Sequence, residues 1–232
     1  MENSTPNNIS DRLIERLNIF WRVIAELENM QPEEIDLLPL MKAVPNLRFP
    51  TGTELRFFMY GDHYCAEPVF IVRNSWEQNL PDDLKIDPEN LMRDVLKALD
   101  SVKQYFNEYF VWELILFAEL GNQFNLVWHA GYKIQRIICN MEEFLSGYYC
   151  GQLDDCYFSP DQLDEKRKSK LLSWDVVPKI QIHPDYAVAE YCIFSPFSGF
   201  FKVQRKIQFV PQITISEPRI IQRVLYNSQI VF

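Results

Sequence analysis

The chain has 232 residues, 47% of them hydrophobic and 14% aromatic, which is enough for a sizeable core and excludes an intrinsically disordered protein. Its 23 basic and 32 acidic side chains give a formal net charge of −9. Non-specific wrapping of nucleic acid requires a surplus of positive charge, so this balance disfavours a nucleic-acid partner. The longest uninterrupted apolar run, residues 114–118, is far shorter than the about 20 residues of a membrane-spanning helix, so we expect no membrane association.

The first residues and the cysteines indicate the cellular compartment of the protein. The N-terminus is polar and has no basic stretch followed by an apolar one, so no secretory signal is predicted. Five cysteines without a C-x-x-C pair are typical of free thiols in a reducing compartment. We therefore expect a cytoplasmic protein that forms a single compact domain over residues 1–232, with residues 1–9 as a disordered leader.

The glycines and histidines exclude several kinds of site. The seven glycines cannot form G-x-G-x-x-G or G-x-x-x-x-G-K-[ST], the loops that bring backbone amides to phosphate in two common nucleotide sites. The three histidines, His63, His129 and His183, are widely separated in the chain and lack clustered zinc-type ligands. The sequence therefore predicts neither a metal site nor a bound cofactor.

The spacing of apolar residues predicts an N-terminal helix over residues 10–30, with Ser10 as its N-cap. One apolar stripe runs along it, formed by Leu13, Leu17, Phe20, Ile24 and Leu27. Such a stripe either docks on its own domain, which we favour, or pairs with a second copy of the chain. The sequence leaves both a monomer and a homodimer open.

Two further elements follow this helix. Pro32 and the acids after it predict a short helix over residues 32–44, interrupted near Pro39 and finished before Pro45. Residues 54–60 and 68–73 are rich in aromatic and β-branched side chains and predict a small β-hairpin.

The middle of the chain has a helical rhythm of apolar residues on both sides of Gly121-Asn122. This pattern predicts a central helical pair, two long antiparallel helices within residues 88–146. A β-hairpin formed by residues 109–117 and 124–128 is the alternative, because these segments are rich in aromatics and periodicity does not distinguish the two.

The rhythm changes to a period of two after Pro178, following a charged helix predicted over residues 159–172. Strands are predicted around 180–182, 187–194, 200–210 and 213–215, and we expect them to form an antiparallel β-meander. The fold class is therefore α+β, with an N-terminal helix, a small β-hairpin, a central helical pair and a C-terminal antiparallel β-meander.

One carboxylate and one imidazole in the middle of the chain form a candidate catalytic pair. Glu113 falls on an apolar stripe, and on a helical hairpin that turns at Gly121-Asn122 it would lie at the height of His129. An aromatic environment would shift the pKa values of both groups. This pair supports a hydrolase, with or without a divalent cation, as the alternative to our main functional hypothesis.

The main hypothesis is a non-catalytic binding protein with a protein partner. Four polar side chains alternate with apolar ones along residues 201–209 and predict one wet strand face: Lys202, Gln204, Lys206 and Gln208. Arg205 interrupts the apolar side, and we expect it at the rim of that side. The chain is also asymmetric in charge, since residues 1–150 hold 13 basic and 23 acidic side chains while residues 151–232 hold 10 and 9. The partner is expected on the wet strand face or on the acidic N-terminal half.

Overall fold

The N-terminal helix, α1, spans Ile9–Glu28 in a computed structural model of the protein, which describes residues 9–31, 34–61, 65–74, 92–124, 127–128, 135–146, 163–196 and 198–225. All five side chains of the predicted stripe are buried. The stripe packs on helix α4 (Glu108–Leu120), where the indole nitrogen of Trp112 donates a hydrogen bond of 2.7 Å to the carbonyl of Leu13. The stripe is therefore already covered by the chain's own core.

The remaining elements complete an α+β arrangement, which confirms the predicted fold class. The other helices are α2 (Leu38–Ala43), α3 (Arg93–Asp100), α5 (Met141–Leu145) and α6 (Glu165–Leu172). The strands are β1 (Thr53–Gly61), β2 (Cys65–Asn74), β3 (Val127–Trp128), β4 (Arg136–Ile138), β5 (Lys179–Ile182), β6 (Tyr186–Ser195), β7 (Gly199–Gln208), β8 (Thr214–Ile215) and β9 (Arg219–Val224). No described helix has the length and apolar character needed to cross a bilayer.

Helix α4 forms the central layer. Ten of its 13 residues are buried, so it has core on all sides instead of a single stripe. Asn107 begins the helix, since its side chain accepts a hydrogen bond from the backbone nitrogen of Phe110. On one side Phe117 lies 4.8 Å from the ring of Phe70 in β2, and on the other Trp112 lies 6.1 Å from the ring of Tyr191 in β6. Both sheets therefore pack on this one helix.

The central helices are present, but two long antiparallel helices over residues 88–146 are wrong. The first half is divided into α3 and α4 by an irregular segment from Ser101 to Asn107. In the second half β3 pairs with β2, and β4 pairs with β6, before the short helix α5. Ile137 and Ile138 lie in β4 at one edge of the larger sheet, which helical spacing alone does not reveal. The alternative hairpin is also wrong, because residues 109–117 are helical.

Two other helix starts differ from the prediction. The helix predicted over residues 32–44 is confined to α2, because Pro39 lies in the first turn, where a proline is tolerated, and does not interrupt the helix. The predicted start at residue 159 lies outside the described residues, and α6 begins after Asp164. The carboxylate of Asp164 accepts a 2.7 Å hydrogen bond from the backbone nitrogen of Arg167 and caps that helix.

The predicted hairpin is confirmed as β1 and β2, which pair antiparallel from Thr53↔Asn74 to Gly61↔Ala66. Strand β3 adds to β2 and completes a sheet of three strands. Helix α3 is fastened to this sheet, because a carboxylate oxygen of Asp94 accepts a 2.6 Å hydrogen bond from the backbone nitrogen of Val72.

The C-terminal sheet has six strands in the order β4-β6-β7-β8, with β5 beside β4 on the edge of β6 and β9 beside β8 on the edge of β7. The four predicted strands are confirmed as β5 to β8. Strand β9 was not predicted. It pairs with β7 from Phe200↔Val224 to Gln204↔Arg219, with an irregularity opposite Lys202 and Val203.

Two glycines provide a matched test of this packing. Gly199 has a φ of +108°, and a Cβ added there would lie 2.4 Å from the carbonyl oxygen of Val224. Gly52 has a φ of +79°, and an added Cβ would meet nothing within 4 Å. We expect Gly52→Ala to lower the free energy of unfolding by about 1 kcal/mol through backbone strain alone. Gly199→Ala should cost about 3 kcal/mol, because β9 must also move. Urea denaturation measures both losses, and equal losses would contradict the assigned contact.

Candidate functional site

The outer face of the C-terminal sheet is divided into a covered and an open half. On the covered half a small second core joins side chains of β4, β6, β7 and β9 to helices α5 and α6: Ile138, Met141, Phe144, Leu171, Cys192, Phe194, Phe200 and Val224 are among its members. Farther along β7, Gln204 and Gln208 are half-buried on this face and Lys206 is exposed. The four polar residues predicted as a wet strand face lie there, together with Tyr186 of β6 and Arg219 of β9, and we call these six residues the strand-face surface.

Lys202 lies at the border between the two halves and is held inside the fold. Its ammonium group is 2.9 Å from a carboxylate oxygen of Glu190 and donates a 3.1 Å hydrogen bond to the carbonyl of Asp175. Asp175 in turn pairs with Lys179 at 2.6 Å, and that hydrogen bond is the main cause that lowers the pKa of Asp175. Lys202 therefore serves the sheet's own cohesion more than a partner.

Lys206 is the exposed cation of the surface. Its ammonium nitrogen lies 4.4 Å from the ring centre of Tyr186, and this ring stacks on His183 at 4.4 Å with an angle of 21° between the planes. Among the described residues no carboxylate lies within ion-pair distance of Lys206. The ring fixes the cation's position without neutralising its charge.

The two glutamines are anchored by local hydrogen bonds. The amide oxygen of Gln204 accepts a 2.6 Å hydrogen bond from the guanidinium of Arg219, and the amide nitrogen of Gln208 donates to the carbonyls of Asp185 and Val210 at 3.2 and 3.1 Å. Arg219 is exposed, and within the described part of the chain it has no acidic partner. The surface is thus a flat polar area on which Lys206 and Arg219 carry uncompensated positive charge.

Arg205, expected at the rim of the apolar side, is buried with 9% of its surface exposed. Its guanidinium lies 2.6 Å from the carboxylate of Glu119 in α4, and the same carboxylate accepts a hydrogen bond from the hydroxyl of Tyr191. Burial raises the pKa of Tyr191 well above its ordinary value, and the Glu119 carboxylate adds to this effect. The guanidinium can be buried because the Glu119 carboxylate neutralises its charge and the carbonyl of Ser216 accepts a 2.6 Å hydrogen bond from it.

Glu113, the carboxylate of the predicted catalytic pair, is fully buried in α4. It accepts hydrogen bonds of 2.6 Å from both the backbone nitrogen and the side-chain amide of Asn46, and the guanidinium of Arg16 lies 3.7 Å away. These contacts give the carboxylate a structural task, which is to hold the segment after α2 against the core. His129 lies outside the described residues, so the pair and the hydrolase hypothesis remain predictions.

Neither a metal-binding cluster nor a known relative identifies another site in the part of the chain that is described. No group of three or more histidine, cysteine, aspartate or glutamate side chains there is arranged to hold a metal ion. In comparisons with known proteins, no family model matches the chain, and no curated protein or solved structure is significantly similar to it. The geometry of the chain itself therefore carries the functional argument.

Two members of the strand-face surface were missed by the sequence reasoning. Tyr186 directly precedes the strand predicted over residues 187–194, and Arg219 lies in a segment with no predicted strand. The β-branched pair Ile220-Ile221 after Pro218 was the signal for β9, and recognising it would have placed Arg219 beside Gln204.

The cluster of Glu119, Tyr191 and Arg205 should behave as one unit. We expect Arg205→Met or Glu119→Leu alone to lower the free energy of unfolding by about 3 to 5 kcal/mol, since each leaves a buried charge without its partner. The double variant should lose clearly less free energy of unfolding than the two single variants added together. A double-mutant cycle by chemical denaturation checks this, and additive losses would show that the two groups do not interact.

Glu113 should give the protein a defined pH dependence. Burial raises its pKa above the ordinary value of 4.5, against the hydrogen bonds from Asn46, which lower it. The folded state then binds a proton more readily than the unfolded state, so this residue's contribution to stability falls as pH rises from 4.5 through the raised pKa. We expect the stability of the wild type relative to Glu113→Gln to decrease over this range, as measured by urea denaturation at several pH values. A difference that increases with pH would contradict the assigned direction.

Proposed function

We propose that this chain is a non-catalytic binding protein of the cell interior, and that its strand-face surface takes an acidic protein partner. One observation carries the proposal. Lys206 and Arg219 expose positive charge that no carboxylate among the described residues neutralises, on a flat face whose amide groups are already fixed. A partner with carboxylates at matching positions would pair with both cations.

The positive surface is the better candidate of the two expected from the sequence. Several acids of the N-terminal half have partners inside the fold: Glu54 pairs with Arg56, Asp94 with Arg73, and Glu113 with Asn46. Their negative charge is therefore partly neutralised within the chain. Arg219, by contrast, meets only the neutral amide of Gln204 within the described part.

A protein suits this surface better than a nucleic acid. Single-stranded nucleic acid is bound by basic grooves with open aromatic platforms on which bases stack. The aromatic ring of this surface, Tyr186, already contacts His183 on one side and Lys206 through its ring face.

The buried reactive groups support a non-catalytic role. Burial raises the pKa of the Cys192 thiol to about 12, so near neutral pH it stays protonated and packs as a small apolar group. Glu113 and Glu119, the buried carboxylates of α4, are both satisfied by partners from the chain itself. Each of these groups has a structural use that requires no substrate.

Charge reversal at Lys206 tests the proposal. Wild type, Lys206→Glu and Lys103→Glu, all purified, are used to capture proteins from a cell extract at low and moderate salt, and the affinities of the captured proteins are then measured. Lys103 is exposed, lies between α3 and α4 and is not a member of the strand-face surface, so its variant makes the same change in charge at another position. We expect Lys206→Glu to weaken binding about three- to tenfold at low salt and Lys103→Glu to leave it unchanged.

The expected partner is acidic, and its affinity for the wild type falls as salt is raised. Recovery of no partner at either salt concentration would overturn the proposal. Equal losses for the two variants would show attraction to the overall charge of the chain and not recognition by this surface.

A further inference from the structure

Strand β9 forms an exposed edge of the sheet next to the strand-face surface. Five consecutive side chains of this strand, from Arg219 to Arg223, are exposed, and only Val224 is buried. Ile220 is exposed by 52% and Ile221 by 42%, which is unusual for β-branched residues inside a sheet. Over these five residues, neither face of the strand is covered by the described part of the protein.

The outer edge of β9 offers a backbone amide for pairing. Within the described residues β9 pairs only with β7. The carbonyl of Arg223 accepts a 3.2 Å hydrogen bond from the side chain of Lys170 in α6, so this carbonyl is directed away from β7. In a β-strand the N–H and C=O of one residue point the same way, and the Arg223 amide is therefore directed outward as well.

The charges along this edge are positive. Arg219 and Arg223 belong to the strand, and Lys170 reaches it from α6. Among the described residues no carboxylate lies within ion-pair distance of any of the three. By the register with β7, Arg219 lies on the sheet face of Gln204, whereas Ile220 and Arg223 lie on the opposite face with Val203 and Phe201. An extended segment laid along β9 would therefore have a cation beside each of its two faces.

We infer that β9 is a docking edge for an extended, acidic segment of a partner protein, which adds as a further strand and places carboxylates on both of its faces. The inference rests on the proposed function and names the partner's conformation and charge. Charge complementarity favours this occupant over a second copy of the chain, because two copies joined at this edge would bring Arg219, Arg223 and Lys170 of each against those of the other.

A matched pair of variants isolates the backbone contribution. Arg223→Gln removes the charge and keeps the amide, whereas Arg223→Pro removes the same charge together with the outward N–H. Because that amide does not pair with β7, a proline at this edge position leaves the sheet's own hydrogen bonds in place. Circular dichroism and thermal unfolding of both variants confirm that each is folded before binding is compared.

The probe is a synthetic peptide. Its sequence is selected for binding to the immobilised full chain from a phage-displayed library of random twelve-residue peptides. Two further versions carry N-methyl groups on alternate residues, one set on the even and the other on the odd positions. Only one of the two sets can face β9, so an added strand predicts that one version binds like the parent and the other does not. This second measurement does not depend on any protein variant.

We expect selected peptides with acids at both odd and even positions, and about tenfold weaker binding to Arg223→Pro than to Arg223→Gln. We expect a comparable loss for one N-methylated version alone. Absence of enriched peptides, equal binding of both N-methylated versions, or equal binding of the two variants would overturn the inference. A wild-type dimer in solution that Arg223→Pro dissociates would name a second copy as the occupant and also overturn it.

The two proposals can fail separately. If Lys206→Glu weakens a partner and neither edge test has an effect, the strand-face surface stands and the docking edge is wrong. If the edge tests succeed and Lys206→Glu changes nothing, the docking edge stands and the proposed surface is wrong. Protection of the Arg223 amide from hydrogen exchange in the free protein would show that the chain itself occupies the edge, and would likewise overturn the inference.

Discussion

The fold depends on burying two carboxylates in one helix. Helix α4 is surrounded by core, yet it carries Glu113 and Glu119, whose charges are costly to remove from water unless they are met by donors. At about 100° per residue the two side chains point to different sides of the helix. Glu113 therefore meets Asn46 and Arg16 in the N-terminal layer, and Glu119 meets Tyr191 and Arg205 in the C-terminal sheet. The central helix is thus tied by polar contacts to the layers on both sides.

This arrangement explains which parts of the fold could be predicted from the sequence. The helix α1, the hairpin of β1 and β2, and strands β5 to β7 have local rhythms that burial on one face imposes, and these were predicted within a few residues. The pairing of Glu119 with Arg205 joins positions 86 residues apart, and the contact of Glu113 with Asn46 spans 67. No local spacing encodes such distances, so these contacts and the roles of their residues had to come from the structure.

The misjudged elements have a common cause. Residues 126–146 show apolar spacing that fits a helix, but β4 within them lies at a sheet edge, where its burial is decided by β6 and not by its own periodicity. Strand β9 was overlooked for the opposite reason, since its side chains are exposed on both faces and no alternation marks it. In both places the partner strand, far away in sequence, determines the structure.

The alternation of β7 separates a buried cation from an exposed one. Arg205 and Lys206 are neighbours in sequence, but the strand directs them to opposite faces, so one cation is neutralised in the core and the other is presented to solvent. Lys202, on the same face as Lys206, is neutralised because Glu190 stands beside it on β6. Only the part of the sheet beyond that ion pair retains positive charge that is not neutralised among the described residues, and β9 extends this part to an edge where the Arg223 amide is directed away from β7. Under the proposed function, changes at Lys206 or Arg223 would alter recognition while the polar contacts that support α4 remain in place.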